Sequence, residues 1–140
     1  MRIMALDIGT KNIGVALSDE SATVAQGKEV IKRVSNAKAL LRIKEIAGEN
    51  RVAKIVVGLP INMDGTEGER ARDSVRFAEM LREETSLTVV LWDERLSTRE
   101  AESVMIMASM SRKKRKKVVD KLAAQLILQS YLDSQGRKEE

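Results

Sequence analysis

The chain has 140 residues, of which 43% are hydrophobic and 33% charged, a composition typical of one compact, soluble domain that spans residues 1–140. It contains no cysteine and no histidine, which excludes disulfides, thiolate metal sites, thiol nucleophiles and a histidine general base. Asp7 interrupts the N-terminus before a signal-peptide core could form, and no segment approaches about 18 consecutive apolar residues. We therefore expect a cytoplasmic protein that does not associate with membranes.

The net charge of +4 comes from one short segment. Residues 112–117 carry six positive charges, so the remainder of the chain has a net charge of −2. Such a run attracts phosphate backbones through counterion release, although a solvated loop without a partner explains it equally well when the run is taken alone. Aromatic residues make up only 2% of the chain, which disfavours a stacking platform for single-stranded bases. We expect phosphate and shape contacts to dominate any recognition of nucleic acid.

The N-terminal half of the chain predicts a hairpin, a third strand and a helix. Apolar runs at 3–8 and 13–17 flank a glycine-bearing turn, and 23–32 is a weaker strand with Gly27 as a bulge or turn. Asn36 is the expected N-cap of a helix that stops near Gly48.

The second half alternates strands and helices. Thr66 and Glu69 have capping-box spacing and predict a helix that buries Ala71, Val75, Ala78 and Leu81. Ser97 and Glu100 repeat the spacing and predict a further short helix. The remaining predicted elements are strands at 53–59 and 87–92 and a final helix at 118–132. The order predicts an α/β fold with a mixed sheet of about five strands flanked by helices.

Three acids occupy positions that could converge. Asp7 and Glu94 lie at the carboxyl ends of predicted strands, where open α/β sheets place their sites, and would meet if those strands were neighbours. Asp120 precedes Ala124 and Ile127 at helical spacing, so it should face the sheet. Ala123 and Ala124 are small and should let the helix approach the sheet closely. Each acid alone has an ordinary explanation as a turn former or a surface group. Together they would repel one another unless a cation compensated their charges.

A hard divalent ion suits this group of acids. Mg²⁺ and Mn²⁺ prefer oxygen ligands, and ions held by carboxylates can activate water for in-line cleavage of a phosphodiester while nearby lysines or arginines neutralise developing charge. The sequence leaves open whether one or two ions bind. Strand alternation predicts that the neighbouring acid, Asp93, faces away from Glu94.

Four motifs together resemble the YqgF family over essentially the whole chain: residues 7–16, 58–60, 93–98 and 120–128. The resemblance implies a compact ribonuclease-H-like domain related to the Holliday-junction resolvase RuvC. It also implies that Asp7, Glu94 and Asp120 are catalytic metal ligands and that a mobile basic loop spans residues 110–117. The expected substrate contacts are Lys11, Arg95, Thr98, Arg112, Lys113, Lys114, Arg115, Lys116 and Lys117. Arg95 is an equally good candidate for an ion pair with Asp93.

The resemblance favours a metal-dependent nuclease that matures the 5′ end of pre-16S ribosomal RNA, with RNA preferred over DNA. Three alternatives stay open: a DNA Holliday-junction resolvase, a non-catalytic RNA-binding ribosome-assembly factor, and an actin-like ATPase or sugar kinase that shares the Asp-x-Gly-Thr turn. The chain shows no second glycine-rich phosphate loop, which weighs against the ATPase. A monomer and a homodimer both remain open, because no apolar stripe marks an interface.

Overall fold

The computed structural model describes residues 1–96 and 112–138; for Leu96, residues 112–118, Asp120 and residues 137–138 it describes the backbone only. Eight regular elements are present in this part: β1 Arg2–Ile8, β2 Asn12–Ser18, β3 Ala25–Lys32, α1 Asn36–Glu49, β4 Val52–Leu59, α2 Glu69–Thr85, β5 Thr88–Asp93 and α3 Arg112–Lys138. A 3₁₀ turn, Glu94–Leu96, follows β5. Among the described helices, none is both long and apolar enough to cross a lipid bilayer.

The strands form one mixed sheet in the order β3-β2-β1-β4-β5. The pairs β1–β2 and β2–β3 are antiparallel, whereas the pairs β1–β4 and β4–β5 are parallel. The carboxyl ends of β1, β4 and β5 therefore lie along one edge, which we call the carboxyl edge. The predicted mixed sheet of about five strands, flanked by helices, is confirmed.

Alternation along the strands separates two cores. Met4, Leu6 and Ile8 pack with apolar residues of α1 and α2, while Ile3 and Ala5 pack on the other face with α3. The same alternation puts Asp7 of β1 on the α3 face, together with Gly58 of β4 and Trp92 of β5. The side chains that could carry chemistry at the carboxyl edge thus lie under the final helix.

Contacts along α3 define its direction over the sheet. Tyr131 Oη accepts a 3.0 Å hydrogen bond from Lys54 Nζ near the start of β4. Ile127, one turn earlier, lies against Gly58 near the end of β4. Gln125 and Gln129 accept hydrogen bonds from backbone N–H groups of β3. The N-terminal part of α3 consequently points towards the carboxyl edge.

Local capping shifts the predicted helix boundaries. Ser35, not Asn36, caps α1 by accepting a hydrogen bond from Lys38 N, and the helix continues through Gly48 to Glu49. The helix α2 begins after Gly68, because the expected cap Thr66 instead donates to Asp64 in a preceding turn. The third strand has the predicted irregularity at Gly27, where the register shifts by one residue.

The helix α2 buries most of the predicted residues. Ala71, Ala78 and Leu81 are inaccessible, together with Ser74 and Phe77. Val75 is only half-buried, because the large Phe77 ring shifts the centre of the buried stripe away from it.

The final helix is longer than predicted. Residues 112–117, expected to belong to a loop, form its first two turns, and it continues beyond residue 132 to Lys138. Lysine and arginine have good helix propensity, and neither proline nor glycine interrupts the run. Residues 110 and 111 of the predicted loop, and the short helix predicted from Ser97, lie outside the described residues.

Arg33 joins the β1–β2 turn to α2. Its Nη1 donates to the Gly9 carbonyl at 3.0 Å, and its guanidinium donates to both carboxylate oxygens of Asp73 at 2.6 and 2.9 Å. The guanidinium also lies 5.4 Å from the centroid of the Phe77 ring. Arg33 holds the pKa of the Asp73 carboxyl below its usual range by hydrogen bonding to the charged form.

We expect Arg33→Ala to lower the free energy of unfolding by about 2–3 kcal/mol at pH 7, because it leaves the half-buried Asp73 carboxylate without its guanidinium. The folded-state pKa of Asp73 is lowered, so this stabilisation is present above its unfolded pKa and is lost as pH falls below about 4. Urea denaturation across this pH range should show the difference between wild type and Arg33→Ala shrinking at acid pH. A difference that is independent of pH would contradict the assignment.

Candidate active site

Asp7 lies in β1 at the carboxyl edge, on the face that α3 covers. Its side chain is 14% exposed, and its Oδ1 atom is inaccessible to solvent. Arg70 Nη2, from the first turn of α2, lies 3.7 Å from that oxygen. The Asp7 carboxylate is thus mostly buried, and the positive charge of Arg70 lies beside it.

Glu94 reaches the same region across β4. The two acids were expected to meet if β1 and β5 were neighbouring strands. These strands are not neighbours, because β4 lies between them. The gap is bridged at Gly58, where an added Cβ would lie 3.2 Å from both Cγ and Cδ of Glu94 and 2.6 Å from Ile127 Cδ1. The absence of a side chain at Gly58 therefore lets the Glu94 side chain lie over β4, beneath α3.

The backbone of Asp120 lies in α3, seven residues before Ile127, or about 10 Å along the axis at 1.5 Å per residue. This offset runs towards the carboxyl edge, where Asp7 and Glu94 lie. The side chain of Asp120 is outside the described part. Among the side chains that the structure does describe, no three acids form a cluster that could hold a metal ion.

Asp93 and Arg95 form a bidentate ion pair. The shortest contact, Arg95 Nη2 to Asp93 Oδ2, is 2.7 Å, and this pairing keeps the pKa of the Asp93 carboxyl below its usual range. Asp93 lies two residues after Leu91, which packs on the α1 and α2 face, so Asp93 is on that face and the predicted separation from Glu94 is observed. Of the two roles considered for Arg95, the ion pair is present.

The other predicted substrate contacts are distributed around the same edge. Lys11 is exposed in the β1–β2 turn, where its carbonyl accepts a hydrogen bond from Arg33 N. The backbone of residues 112–117 occupies the end of α3 beyond Asp120. Thr98 lies outside the described residues.

A pocket of about 330 Å³ opens beside Glu94, with Asn62, Arg70 and Arg95 among its lining residues. Two residues of this site were not predicted from the sequence: Gly58, which leaves room for the Glu94 side chain, and Arg70, which lies beside Asp7. A basic residue in the first turn of a helix is electrostatically unfavourable, and that position was the available signal for Arg70.

The sheet order, the helices on both faces and the acids at the carboxyl edge define a ribonuclease-H-like domain. The structure matches Thermus thermophilus RuvC with a TM-score of 0.62 and 14% sequence identity, covering 98% of this chain and 97% of that one. It matches the Fowlpox virus resolvase in complex with Holliday junction DNA with a TM-score of 0.58 and 15% identity, covering 96% and 99% of the two chains. These matches establish the fold.

The sequence matches the RuvX family, described as a Holliday junction resolvase, over residues 1–134. It is also 58% identical over 139 residues to a protein of Thermoanaerobacter pseudethanolicus named "Putative pre-16S rRNA nuclease", covering 99% of this chain and 100% of that one. The chain therefore belongs to the RuvX family, which confirms the YqgF resemblance. It is a member of a nuclease family, a class of hydrolase, and the actin-like ATPase alternative is set aside.

Proposed function

We propose that the chain is a divalent-metal-dependent nuclease that hydrolyses phosphodiester bonds in structured nucleic acid, and that it matures the 5′ end of pre-16S ribosomal RNA in the cytoplasm. The observation that carries the proposal is the position of the Glu94 side chain over Gly58. It brings an acid that directly follows β5 over β4, towards the strand that bears Asp7. A site built from acids on separate elements has no evident value for folding, because like charges resist being brought together.

The donor set fits a hard divalent cation. The chain has no histidine or cysteine to offer, and oxygen atoms of both Asp7 and Glu94 are inaccessible to solvent. Asp7, Glu94 and Asp120 would hold Mg²⁺ or Mn²⁺, which prefer such ligands to nitrogen or sulfur. When bound, the ion would activate water and neutralise charge on the phosphate.

Basic residues around the carboxyl edge would bind the substrate. In this proposal Lys11 and Arg95 contact phosphates near the acids, Thr98 supports that contact, and residues 112–117 of α3 attract the more distant backbone. Contacts of this kind read charge and shape rather than base sequence, as expected for a chain with so few aromatic residues.

RNA is the proposed substrate because relatives that match this chain over nearly their whole length are named as pre-16S nucleases. A DNA junction is the second candidate, supported by the family description and by the fold shared with resolvases. The test compares a pre-16S 5′-leader transcript with a four-way DNA junction, each incubated with Mg²⁺, Mn²⁺ or a chelator.

We expect metal-dependent cleavage of the leader at the mature 5′ end, no product with chelator, and at least about tenfold slower cleavage of the junction. Preferential cleavage of the junction would mean that the protein is a Holliday-junction resolvase and not an rRNA nuclease. Binding of the leader without any product in either metal would instead support a ribosome-assembly factor. Equilibrium binding across a salt series, measured alongside, would separate that outcome from a protein that has no affinity for the leader.

A further inference from the structure

Arg70 lies in the candidate site, yet neither the folding of α2 nor the sequence motifs account for it. Its Nη2 is 3.7 Å from Asp7 Oδ1 and donates a hydrogen bond to the Ile8 carbonyl at 3.4 Å. The side chain is 56% exposed, whereas that of Asp7 is 14% exposed. Arg70 thus covers a buried carboxylate from the solvent side.

The position of Arg70 is unfavourable for the helix that carries it. It is the second residue of α2, where the positive end of the helix dipole disfavours a cation. Arg72, on the same turn, offers a direct comparison: it is exposed and donates to the Glu67 carbonyl at 3.1 Å, within the loop that leads into α2. Arg70 instead extends back to the end of β1.

The contact between Arg70 and Asp7 is weak enough for Arg70 to change partners. At 3.7 Å it is longer than a hydrogen bond, and a half-exposed ion pair is weak because water competes for both charges. Arg70 also lines the pocket of about 330 Å³ to which Glu94 and Arg95 contribute. It can therefore leave Asp7 and still remain within the site.

We propose that Arg70 alternates between two partners. In the metal-free protein it neutralises Asp7; when a divalent ion binds that carboxylate, the like charge releases Arg70, which then binds a phosphate of the substrate in the neighbouring pocket. A planar guanidinium can donate two hydrogen bonds to a phosphate. This inference rests on the proposed function, because it assigns Asp7 to the metal.

The experiment compares wild type with Arg70→Ala, the matched control Arg72→Ala, and Asp7→Asn. Calorimetric titration with Mn²⁺ alone should show Arg70→Ala binding the ion about two- to fivefold tighter than wild type, because a competing cation has been removed. Binding of the leader RNA with chelator should be unchanged. In Mn²⁺, the enzyme concentration that half-saturates single-turnover cleavage should rise about 10- to 100-fold through loss of a charge-assisted hydrogen bond.

Arg72→Ala should match wild type in all three measurements. If Arg70→Ala behaves like Arg72→Ala, the proposed exchange is wrong and Arg70 is an ordinary surface charge. If it weakens RNA binding equally with and without metal, the exchange is also wrong and Arg70 is an RNA contact that does not depend on the metal. The Mn²⁺ titration of Asp7→Asn tests the metal site independently. If Asp7 does not bind the metal, this variant will have the same Mn²⁺ affinity as wild type. Thermal unfolding of each variant verifies that it is folded.

Discussion

Asp7→Asn is expected to slow metal-dependent cleavage on the order of 10³-fold while leaving the affinity for nucleic acid within about twofold. The substitution keeps the shape of the side chain but removes its negative charge. A divalent ion would therefore lose a charged ligand and the electrostatic attraction that favours its binding. Nucleic-acid affinity should persist because it depends on basic residues around the edge. Single-turnover rates at saturating enzyme, with fluorescence anisotropy for binding, measure the two effects independently.

Asp133→Asn is the matched control for this substitution. Asp133 is an exposed acid of α3 towards the opposite edge of the sheet, where it accepts a 3.0 Å hydrogen bond from Gln129 Nε2. Asp133→Asn makes the same chemical change at a position away from the site, so the cleavage rate of this variant should stay within about twofold of wild type. Equal losses in the two variants, or full activity in Asp7→Asn, would remove Asp7 from the catalytic site.

Gly58→Ala is expected to damage both stability and catalysis. The added Cβ would lie 2.6 Å from Ile127 Cδ1 and 3.2 Å from Cγ and Cδ of Glu94, so both side chains must move. Overpacking of a dense core costs about 1–3 kcal/mol of unfolding free energy. Contacts of 3.2 Å require Glu94 to shift by a few tenths of an ångström, which should slow cleavage about 3- to 10-fold, because a misplacement of 1 Å costs about 100-fold.

Two further variants separate the contributions. Gly48→Ala, inside α1 with no atom within 4 Å of the added Cβ, should raise the unfolding free energy by about 0.5–1 kcal/mol and leave cleavage unchanged. Adding Ile127→Val to Gly58→Ala removes Cδ1, and should restore stability but not activity. Urea denaturation and single-turnover kinetics report the two effects. Recovery of activity by the double variant would show that helix packing, not Glu94, is the reason for Gly58.

The strands, the three described helices and the position of Asp7 follow from patterns a few residues long. Apolar runs ended by turn residues predicted all five strands. Helical spacing and capping motifs predicted the helices, of which α3 is longer than expected. The helices α1 and α2 begin at other residues than predicted, because neighbouring polar residues compete for the same backbone groups. Ser35 caps α1 in place of Asn36, and Asp64 engages Thr66 in a turn before α2 begins.

The convergence of the site depends on contacts between residues distant in sequence. Nothing near Asp7 or Glu94 indicates that β4 separates their strands, or that Gly58 leaves the space by which Glu94 crosses it. Arg70 likewise meets Asp7 only because α2 begins beside the end of β1. The sequence alone determined which residues form strands and helices and which acids end them, since those properties depend on local periodicity and side-chain chemistry. The tertiary structure alone decided which strand ends are adjacent and what lies between them, because non-local strand pairing and close packing leave no local pattern.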